Sequence, residues 1–386
     1  GEETFYELLS GIFNDNYDFS GIKGLVYREG GCIRANPSRP LIKDLGIIPS
    51  PYQYDLDEVK DKILYYETSR GCPFKCQFCL SALEPGVRYF PLERVKADLL
   101  HFIKAGVRQI KFVDRSFNCH RERALEIWEF LIAHAGKTNF HFEINGDFFN
   151  DEMINVLKKA PPGLFQFEIG VQSTNPATLK SIDRRMDFYR LAENFMRLKK
   201  ETNIHLHLDL IAGLPEEDWE ALGKSFNDVY GLLPGRLQMG FLKVLKGSGV
   251  REKAAEYGMQ FTDETPYEVL ANKWLSYEQL LRLKPLEVIV ERVYNPHRTD
   301  NTLAFLLRQS GKDPFSLYLE MGDYWKEKGY HLISHKSRIN YHFLADFINM
   351  KYPQIREPAH DILVYDYLSW EQGDSELLGY NLTECR

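Results

Sequence analysis

A regular alternation of short apolar segments and longer helical patterns between residues 63 and 244 limits the fold of this chain more than any other sequence feature. Such alternation is typical of βαβ units that build a parallel sheet. Six consecutive units in one sheet predict an α/β fold, a partial (β/α)6 barrel. The strands are predicted at residues 63–68, 109–114, 139–145, 164–171, 204–211 and 237–244.

The barrel predicted here is TIM-like, and its helices should alternate with its strands. In such barrels the functional side chains lie at the C-terminal ends of the strands. Residues that directly follow the predicted strands are therefore the first candidates for function. The helices are predicted at residues 92–105, 121–135, 151–159, 191–200 and 218–233.

The sequence on either side of the barrel, which we place at residues 62–248, lacks this alternation. Residues 1–61 are predicted to be a connector, with a short helix over residues 4–13, a hairpin and a proline-rich run. Residues 249–386 carry Tyr, Trp and Leu at helical spacing, which predicts a helical C-terminal domain. Its helices are predicted at residues 267–283, 302–309 and 314–328.

The charge balance is acidic, with 48 Lys and Arg residues against 55 Asp and Glu residues. A global basic field that would attract nucleic acid is therefore missing, and an RNA substrate is disfavoured. The sequence has no apolar run long enough to cross a bilayer, and its N-terminus lacks a signal-peptide core. We predict a cytoplasmic protein without a membrane partner. Because the first residue is Gly1 rather than Met, we expect a fragment or a processed chain.

Three of the six cysteines, Cys72, Cys76 and Cys79, lie within eight residues at Cys-x3-Cys-x2-Cys spacing. A cage of three thiolates leaves one iron of a four-iron, four-sulfur cluster with an open coordination position. A structural zinc site needs a fourth ligand, and the nearest candidates, His101 and Cys119, lie on a predicted helix and beyond the second strand. The spacing therefore favours a [4Fe-4S] cluster with an open iron over zinc or a redox disulfide.

The cysteine segment resembles the cluster loop of the radical S-adenosylmethionine superfamily, including the aromatic Phe78 before the third cysteine. The resemblance implies that the amino and carboxylate groups of S-adenosylmethionine chelate the open iron. It also implies that an external donor supplies an electron, which cleaves the sulfonium and gives a 5'-deoxyadenosyl radical. In this reading the cluster performs the chemistry, while the protein positions the cofactor and excludes water.

Polar residues at the later strand ends take roles from the same resemblance. Glu143, at the end of the third strand, would hold the ammonium group of the cofactor. Gln172 lies in a Gly-Val-Gln-Ser sequence similar to that of coproporphyrinogen-oxidase-like members and would contact the cofactor. Arg184 would bind the methionine carboxylate, with Arg185 as the alternative.

The fifth strand resembles the Asp-x-Ile-x-Gly-Leu-Pro strand of the same family. Asp209 would hydrogen-bond the ribose, and the backbone from Ile211 to Gly213 would pack on the adenine. Taken alone, each of these polar residues is more often a satisfied member of a hydrogen-bond network than a ligand. Their position at successive strand ends after the cysteine segment favours the functional reading.

Asp114 and Cys119, beyond the second strand, are weak catalytic candidates. The structural alternative for the Asp114 segment is a buried ion pair or a helix cap, with Asn118 as the capping residue. Free cysteines are mostly small buried apolar groups, so a structural role is favoured for Cys119.

The flanking sequences resemble those radical proteins that carry an N-terminal cobalamin-binding domain and an uncharacterised C-terminal domain. No doubly wound domain precedes the connector, so the resemblance predicts a cobalamin domain that this chain lacks. The implied function is modification of an unactivated carbon in a small-molecule or peptide substrate, with cobalamin-dependent methyl transfer as the leading reaction. Two alternatives stay open, a zinc-stabilised binding module and a radical enzyme that methylthiolates RNA.

Overall fold

The computed structural model describes residues 1–53, 56–84, 86–332 and 338–371. The chain begins with helix α1 (Glu2–Phe13) and an antiparallel hairpin of β1 (Val26–Glu29) and β2 (Cys32–Ala35). Both elements were predicted within the connector. Side chains of α1 reach the barrel, because Arg70 forms ion pairs with Glu2 and with Glu67.

A second hairpin follows the first strand of the barrel, β3 (Ile63–Tyr66), and encloses the cysteine segment. In this hairpin β4 (Ser69–Gly71) pairs with β5 (Val87–Tyr89), so the cysteines lie in the loop between two paired strands. The sequence did not predict this hairpin, because each of its strands has only three residues.

Six parallel strands form the main sheet, in the spatial order β10-β9-β8-β7-β6-β3. Neighbours in the sheet are therefore neighbours in the sequence, and the sheet is open between β3 and β10. This arrangement confirms the predicted α/β fold, a partial (β/α)6 TIM-like barrel with a helical C-terminal region. The five strands after the hairpin are β6 (Gln109–Phe112), β7 (Asn139–Ile144), β8 (Phe165–Gln172), β9 (His205–Ala212) and β10 (Arg236–Phe241).

Helices cover one face of the sheet and leave the other face polar. Along β8 every second residue is buried against the helices, while the residues between them, among them Glu168 and Gln172, are only partly buried. This period of two is the side-chain period of a strand. The covering helices are α2 (Leu92–Lys104), α3 (Arg121–Ala133), α4 (Asp151–Leu157), α5 (Pro176–Ser181), α6 (Phe188–Glu201) and α7 (Trp219–Tyr230).

An aromatic cluster fills the layer between the sheet and α3. The rings of Phe112 and Phe142 stack with their centroids 4.3 Å apart, and Trp128 lies 5.6 Å from Phe167. Phe149, after β7, stacks on Phe167 at 6.0 Å. Full burial of side chains of this size contributes about 1.5–3 kcal/mol each. The cluster therefore holds β6, β7 and β8 firmly in register up to their C-terminal ends.

The C-terminal region is mainly helical, as predicted, but its first part differs. Residues 267–283 were predicted to be one helix, and this is wrong, because β12 pairs with β11 and the helix begins only at Tyr277. Ser276 and Gln279 form a capping box that fixes this start. The elements are α8 (Gly249–Glu252), β11 (Gln260–Phe261), β12 (Val269–Ala271), α9 (Tyr277–Ile289), α10 (Asp300–Ser310), α11 (Pro314–Glu327), α12 (Ile339–Lys351) and α13 (Arg356–Trp370).

The C-terminal helices pack directly on the barrel. Phe315 of α11 lies 5.7 Å from Phe226 of α7, centroid to centroid.

None of the helices in the described ranges has the length and apolar character needed to cross a bilayer. The divisions after residues 61 and 248 remain our proposal, and the cytoplasmic location remains a prediction. Shorter helical turns are Leu45–Ile47, Leu80–Leu83, Phe117–Cys119, Gly146–Phe148, Val290–Tyr294, Tyr330–Leu332 and Pro353–Ile355.

Gly71 is the residue on which the hairpin around the cysteine segment depends. Its φ is 91°, and a Cβ atom at this position would lie only 2.2 Å from the carbonyl oxygen of Gly86 on the opposite arm. A backbone oxygen in a paired hairpin cannot move away without opening the pair. Only glycine therefore fits between the two arms.

Replacing Gly71 with Ala should lower the free energy of unfolding by more than the roughly 1–2 kcal/mol that a left-handed conformation alone costs. Chemical denaturation measures this loss. The matched control is Gly163→Ala, because Gly163 has a φ of 80° but no atom within 4 Å of a Cβ there. Equal losses in the two variants would contradict the steric argument.

Candidate functional site

A cavity of about 270 Å³ opens at the C-terminal end of the parallel strands. It brings together the three predicted cluster ligands, Phe78, and the four polar residues predicted to hold the cofactor. Ile211, Gly213, Asp114 and Cys119 do not line it. The lining residues are Cys72, Phe74, Cys76, Phe78, Cys79, Ala82, Arg115, Ser116, Glu143, Ile144, Asn145, Glu168, Gly170, Gln172, Arg184 and Asp209.

Backbone hydrogen bonds of Gln77 anchor the cysteine loop at the open end of the barrel. Its N–H donates to the Ile182 carbonyl at 2.8 Å, and its carbonyl accepts from the Val250 N–H at 2.9 Å. Ile182 follows β8 and Val250 follows β10, so the loop is tied to the far side of the sheet. Cys76 is buried, and this burial raises the pKa of its thiol despite the nearby guanidinium of Arg184.

Arg184 connects the cysteine loop with β8. Its guanidinium donates to the carbonyl oxygen of Gly170, and its Nη1 lies 3.8 Å from the sulfur of Cys76. The Nε of Arg184 is buried without a hydrogen-bond partner among the described residues. Arg185, the alternative in the sequence, is exposed and does not line the cavity. Of these two arginines, Arg184 is therefore the one that faces this site.

The end of β8 has an irregular backbone that turns Gln172 into the cavity. The register shifts between Gly170 and Gln172, and Gln172 adopts a φ of 70°, which is rare for a residue with a side chain. A Cβ at position 170 would lie 2.0 Å from the Gln172 side-chain nitrogen and 3.5 Å from Nη2 of Arg184. Gly170 therefore gives Gln172 and Arg184 the space that they occupy.

Three carboxyl groups line the cavity, and their surroundings separate their pKa values. Glu168 accepts hydrogen bonds from His141 and from Lys111, both at 2.9 Å, and these lower its pKa to about 2. Glu143 forms an ion pair with Arg115 at 3.5 Å, yet burial raises its pKa to about 7. Glu168 therefore stays ionised, whereas Glu143 titrates near neutral pH.

Asp209, on β9, is the carboxyl group with the least compensation. Burial, together with the negative charges of Glu168 and Glu143, raises its pKa to about 8. Its Oδ1 is buried and has no hydrogen-bond partner among the described residues. This acceptor and the unpaired Nε donor of Arg184 belong to residues of the same cavity. A ligand with both hydroxyl and carboxylate groups, such as S-adenosylmethionine, fits this donor set.

Glu168 was not singled out in the sequence, although it stands two residues before Gly170. Its strand neighbours are paired in register, with Glu143 on one side and His207 on the other. Burial lowers the pKa of His207 to about 3, so this ring is neutral. The signal that could have found Glu168 is its period-two position on the same face as Gly170 and Gln172.

Asp114 lies below the site and supports the cysteine segment from beneath. It is 2% exposed and accepts from the backbone N–H of Thr68 at 2.9 Å and from its hydroxyl at 2.6 Å. Ser69 donates to the same carboxyl group. The sulfur of Cys119 lies 3.7 Å from the hydroxyl of Tyr89. Asp114 and Cys119 therefore support the cysteine segment and do not line the cavity.

The predicted helix cap at Asn118 is wrong. The ring of His120 accepts from the backbone N–H of Arg123 and caps α3 instead. Asn118 is buried and points in the other direction, where its side chain pairs with both backbone polar groups of Asn145. No three His, Cys, Asp or Glu side chains among the described residues are arranged around the position of a single metal ion.

Two family models match the chain. Residues 66–229 match the radical SAM superfamily, where SAM stands for S-adenosylmethionine, and residues 255–378 match a family described as a protein of unknown function, DUF4080. The first range contains the cysteine segment and all the predicted cofactor contacts. The resemblance drawn from the cysteine segment is confirmed by this match.

Known relatives resemble part of the chain. The uncharacterized methyltransferase PH0819 of Pyrococcus horikoshii is 31% identical over 57% of this chain and 49% of that protein. The cobalamin-dependent radical SAM methyltransferase TokK of Streptomyces tokunonensis is 29% identical over 60% of this chain and 36% of its own length. The chain thus spans half or less of these relatives.

A solved structure shares the fold over the whole chain. The cobalamin-dependent S-adenosylmethionine radical enzyme OxsB superposes with a TM-score of 0.61 at 14% identity, and the match covers 100% of this chain and 66% of that one. At this level of identity the similarity establishes the fold alone. It places the connector and the C-terminal helices, as well as the barrel, within a known architecture.

Removing the carboxyl group of Asp209 should stabilise the ligand-free protein. Its folded pKa of about 8 lies above the ordinary 3.8, so wild-type stability falls as the pH rises between these values. Asp209→Asn abolishes this loss, and its gain should therefore be larger at pH 8 than at pH 5. Denaturant titrations of the metal-free protein at both pH values measure the difference.

Glu168→Gln is the matched variant, and its expected effect on stability is opposite to that of Asp209→Asn. The folded pKa of Glu168 lies near 2, below the ordinary 4.5, so its stabilisation is present above pH 4.5 and disappears as the pH falls towards 2. Glu168→Gln should therefore lower stability at pH 7, on the order of 1–3 kcal/mol. A loss of stability in both variants at pH 8 would contradict the assigned environments.

Proposed function

We propose, from the premise that this chain carries a radical SAM domain at residues 66–229, that it is an enzyme acting through a [4Fe-4S] cluster and S-adenosylmethionine. Cys72, Cys76 and Cys79 would ligate the cluster. Such a cluster supplies the electron that breaks the sulfonium bond when the cofactor is bound. The substrate is a small molecule or a peptide with an unactivated carbon, and an external donor supplies the electrons.

One observation carries this proposal. The three cysteines and the four polar residues Glu143, Gln172, Arg184 and Asp209 are separated by more than 130 positions in the sequence, from 72 to 209, yet they line one cavity. Structural ion pairs and caps would not bring these side chains to the same cavity as the three thiols. Perturbed carboxyl groups in a cleft are also typical of functional sites.

Each residue has a definite task in the proposed site. The guanidinium of Arg184 is held by Gly170, which orients its remaining donors for the methionine carboxylate. The carboxylate of Glu143 binds the ammonium group, and Asp209 accepts from the ribose hydroxyls with its unpaired oxygen. Gln172 contacts the cofactor from the end of β8. Phe78, between the second and third cysteines, lines the cavity and would contact the cofactor.

Methyl transfer is the reaction class that we propose. The support is the similarity to proteins whose names describe methyltransferases, one of them cobalamin-dependent. Because the chain spans half or less of these relatives, we propose that cobalamin is held by a part of the protein outside this chain. The backbone from Ile211 to Gly213 would pack on the adenine of S-adenosylmethionine.

Turnover of S-adenosylmethionine tests the proposed function. We expect the anaerobically reconstituted protein, supplied with a strong reductant, to release 5'-deoxyadenosine or S-adenosylhomocysteine, detected by mass spectrometry. Cys72→Ala, Cys76→Ala and Cys79→Ala should each lose the cluster and the products, whereas Cys119→Ala should keep both. A wild-type protein with an intact cluster and neither product would contradict the catalytic proposal.

Metal analysis of the same preparations decides between the cluster and the zinc alternative. About four iron and four sulfide per chain support the cluster. One equivalent of zinc without iron or sulfide would instead establish a zinc-stabilised binding module. A methylthio group on added RNA would identify the third candidate, which the acidic balance of the chain disfavours.

Gly170→Ala tests the cofactor contacts separately from the cluster. The added methyl group would collide with Gln172 and press on Arg184, so we expect the dissociation constant for S-adenosylmethionine to rise at least tenfold while iron content is unchanged. Titration calorimetry under anaerobic conditions measures the affinity. Gly240→Ala on β10 is the control, because the nearest atom to a Cβ there is 3.9 Å away. Wild-type affinity in Gly170→Ala would refute these contacts.

A further inference from the structure

A chain of three polar side chains leads from the buried layer below the cavity to the first cluster cysteine. Asn118 donates to the backbone carbonyl of Asn145 at 2.9 Å and accepts from its backbone N–H at 2.9 Å. The side-chain amide of Asn145 lies 3.3 Å from the hydroxyl of Ser116, and that hydroxyl lies 3.8 Å from the sulfur of Cys72. None of these three polar residues has a role in the proposed function.

The chemistry of the groups fixes the direction of this chain. The Nδ2 atom of Asn145 can only donate, so the Ser116 oxygen is the acceptor of that hydrogen bond. The hydroxyl hydrogen of Ser116 is then available for another acceptor. A cysteine that ligates iron is a thiolate and can only accept. Ser116 therefore donates to Cys72 once the cluster is bound.

Burial makes the arrangement specific. Ser116 is 9% exposed and Asn118 is 2% exposed, so water competes little for either side chain. Asn118 fixes the backbone of Asn145 through two hydrogen bonds, and this fixes where the Asn145 amide points. Among the described residues, the hydroxyl of Ser116 has the Asn145 amide as its donor and the Cys72 sulfur as its acceptor. The three residues thus direct the hydroxyl of Ser116 towards the sulfur of Cys72.

We propose that Asn118, Asn145 and Ser116 are positioning residues that set the reduction potential of the cluster through the Cys72 sulfur. Hydrogen bonds to cluster sulfurs are one of the factors that determine such potentials. A donor stabilises the reduced cluster, which carries one more negative charge, more than the oxidised cluster. Losing the donor should therefore make the cluster harder to reduce. This inference rests on the proposed function, because it needs a cluster on Cys72.

The potential of the reconstituted cluster tests the inference without any measurement of turnover. An anaerobic redox titration followed by electron paramagnetic resonance should show that reduction in Ser116→Ala is about tenfold less favourable, a fall of about 59 mV for a one-electron couple. Ser181→Ala is the control, because its hydroxyl donates to the Thr178 carbonyl at 2.8 Å instead. An unchanged potential in Ser116→Ala with full iron content would overturn the inference.

Where Ser116→Ala does not retain the cluster, the pair Ser116→Thr and Ser116→Val gives the same information. The two side chains have the same shape and differ in the hydroxyl group, so the Val variant should have the lower potential. Equal potentials in this pair would overturn the inference. A wild-type protein without a reducible cluster would instead refute the proposed function, so the two failures are distinct.

A double-mutant cycle tests the direction of the chain. Asn145→Asp replaces the donor to Ser116 with an acceptor, which should draw the hydroxyl hydrogen away from Cys72. The new charge also lowers the potential through space, but this part persists when Ser116 is Ala. We therefore expect Asn145→Asp to lower the potential more in the wild-type background than in Ser116→Ala. Strictly additive shifts would show that Ser116 and Asn145 act separately and would overturn the relay.

Discussion

Parallel register is the constraint on which the whole site depends. Because all six strands run the same way, their C-terminal ends meet at one edge, and residues far apart in the sequence become neighbours there. Glu143 stands opposite Glu168, and Gly170 stands opposite Asp209. The aromatic layer beneath the sheet fixes this register, since a slip of one residue would turn every polar side chain of the site towards the core.

The site places carboxyl groups where solvation is poor, and their different partners give them different tasks. Glu168 accepts hydrogen bonds from Lys111 and His141, which stabilise its negative charge, so it stays ionised. Glu143 and Asp209 lack such compensation and have raised pKa values. A bound cation near Glu143 or hydroxyl donors near Asp209 would remove part of this cost. The free site is thus arranged to bind a cation at Glu143 and hydroxyl donors at Asp209.

The sequence predicted the six strands and their order, because buried parallel strands are short apolar runs between helices. Four of the polar residues that it singled out, Glu143, Gln172, Arg184 and Asp209, line the cavity, and their roles towards a cofactor remain predictions. It did not predict the hairpin at Gly71, the strand β12 or the direction of Asn118, since each depends on a partner distant in sequence. Glu168 was passed over because its partners Lys111 and His141 lie on two other strands.

Several local costs meet at the same edge of the sheet. Gln172 has a left-handed backbone, and Glu143 is a partly buried carboxyl group beside Arg115. Arg184 and Asp209 each have a buried atom without a hydrogen-bond partner among the described residues. Backbone strain of this kind costs about 1–3 kcal/mol per residue, and an unsatisfied buried polar atom costs a similar amount. The aromatic core offsets these costs in the free protein. A ligand that pairs the free atoms binds only the folded state, so the stability of the fold should rise with its concentration.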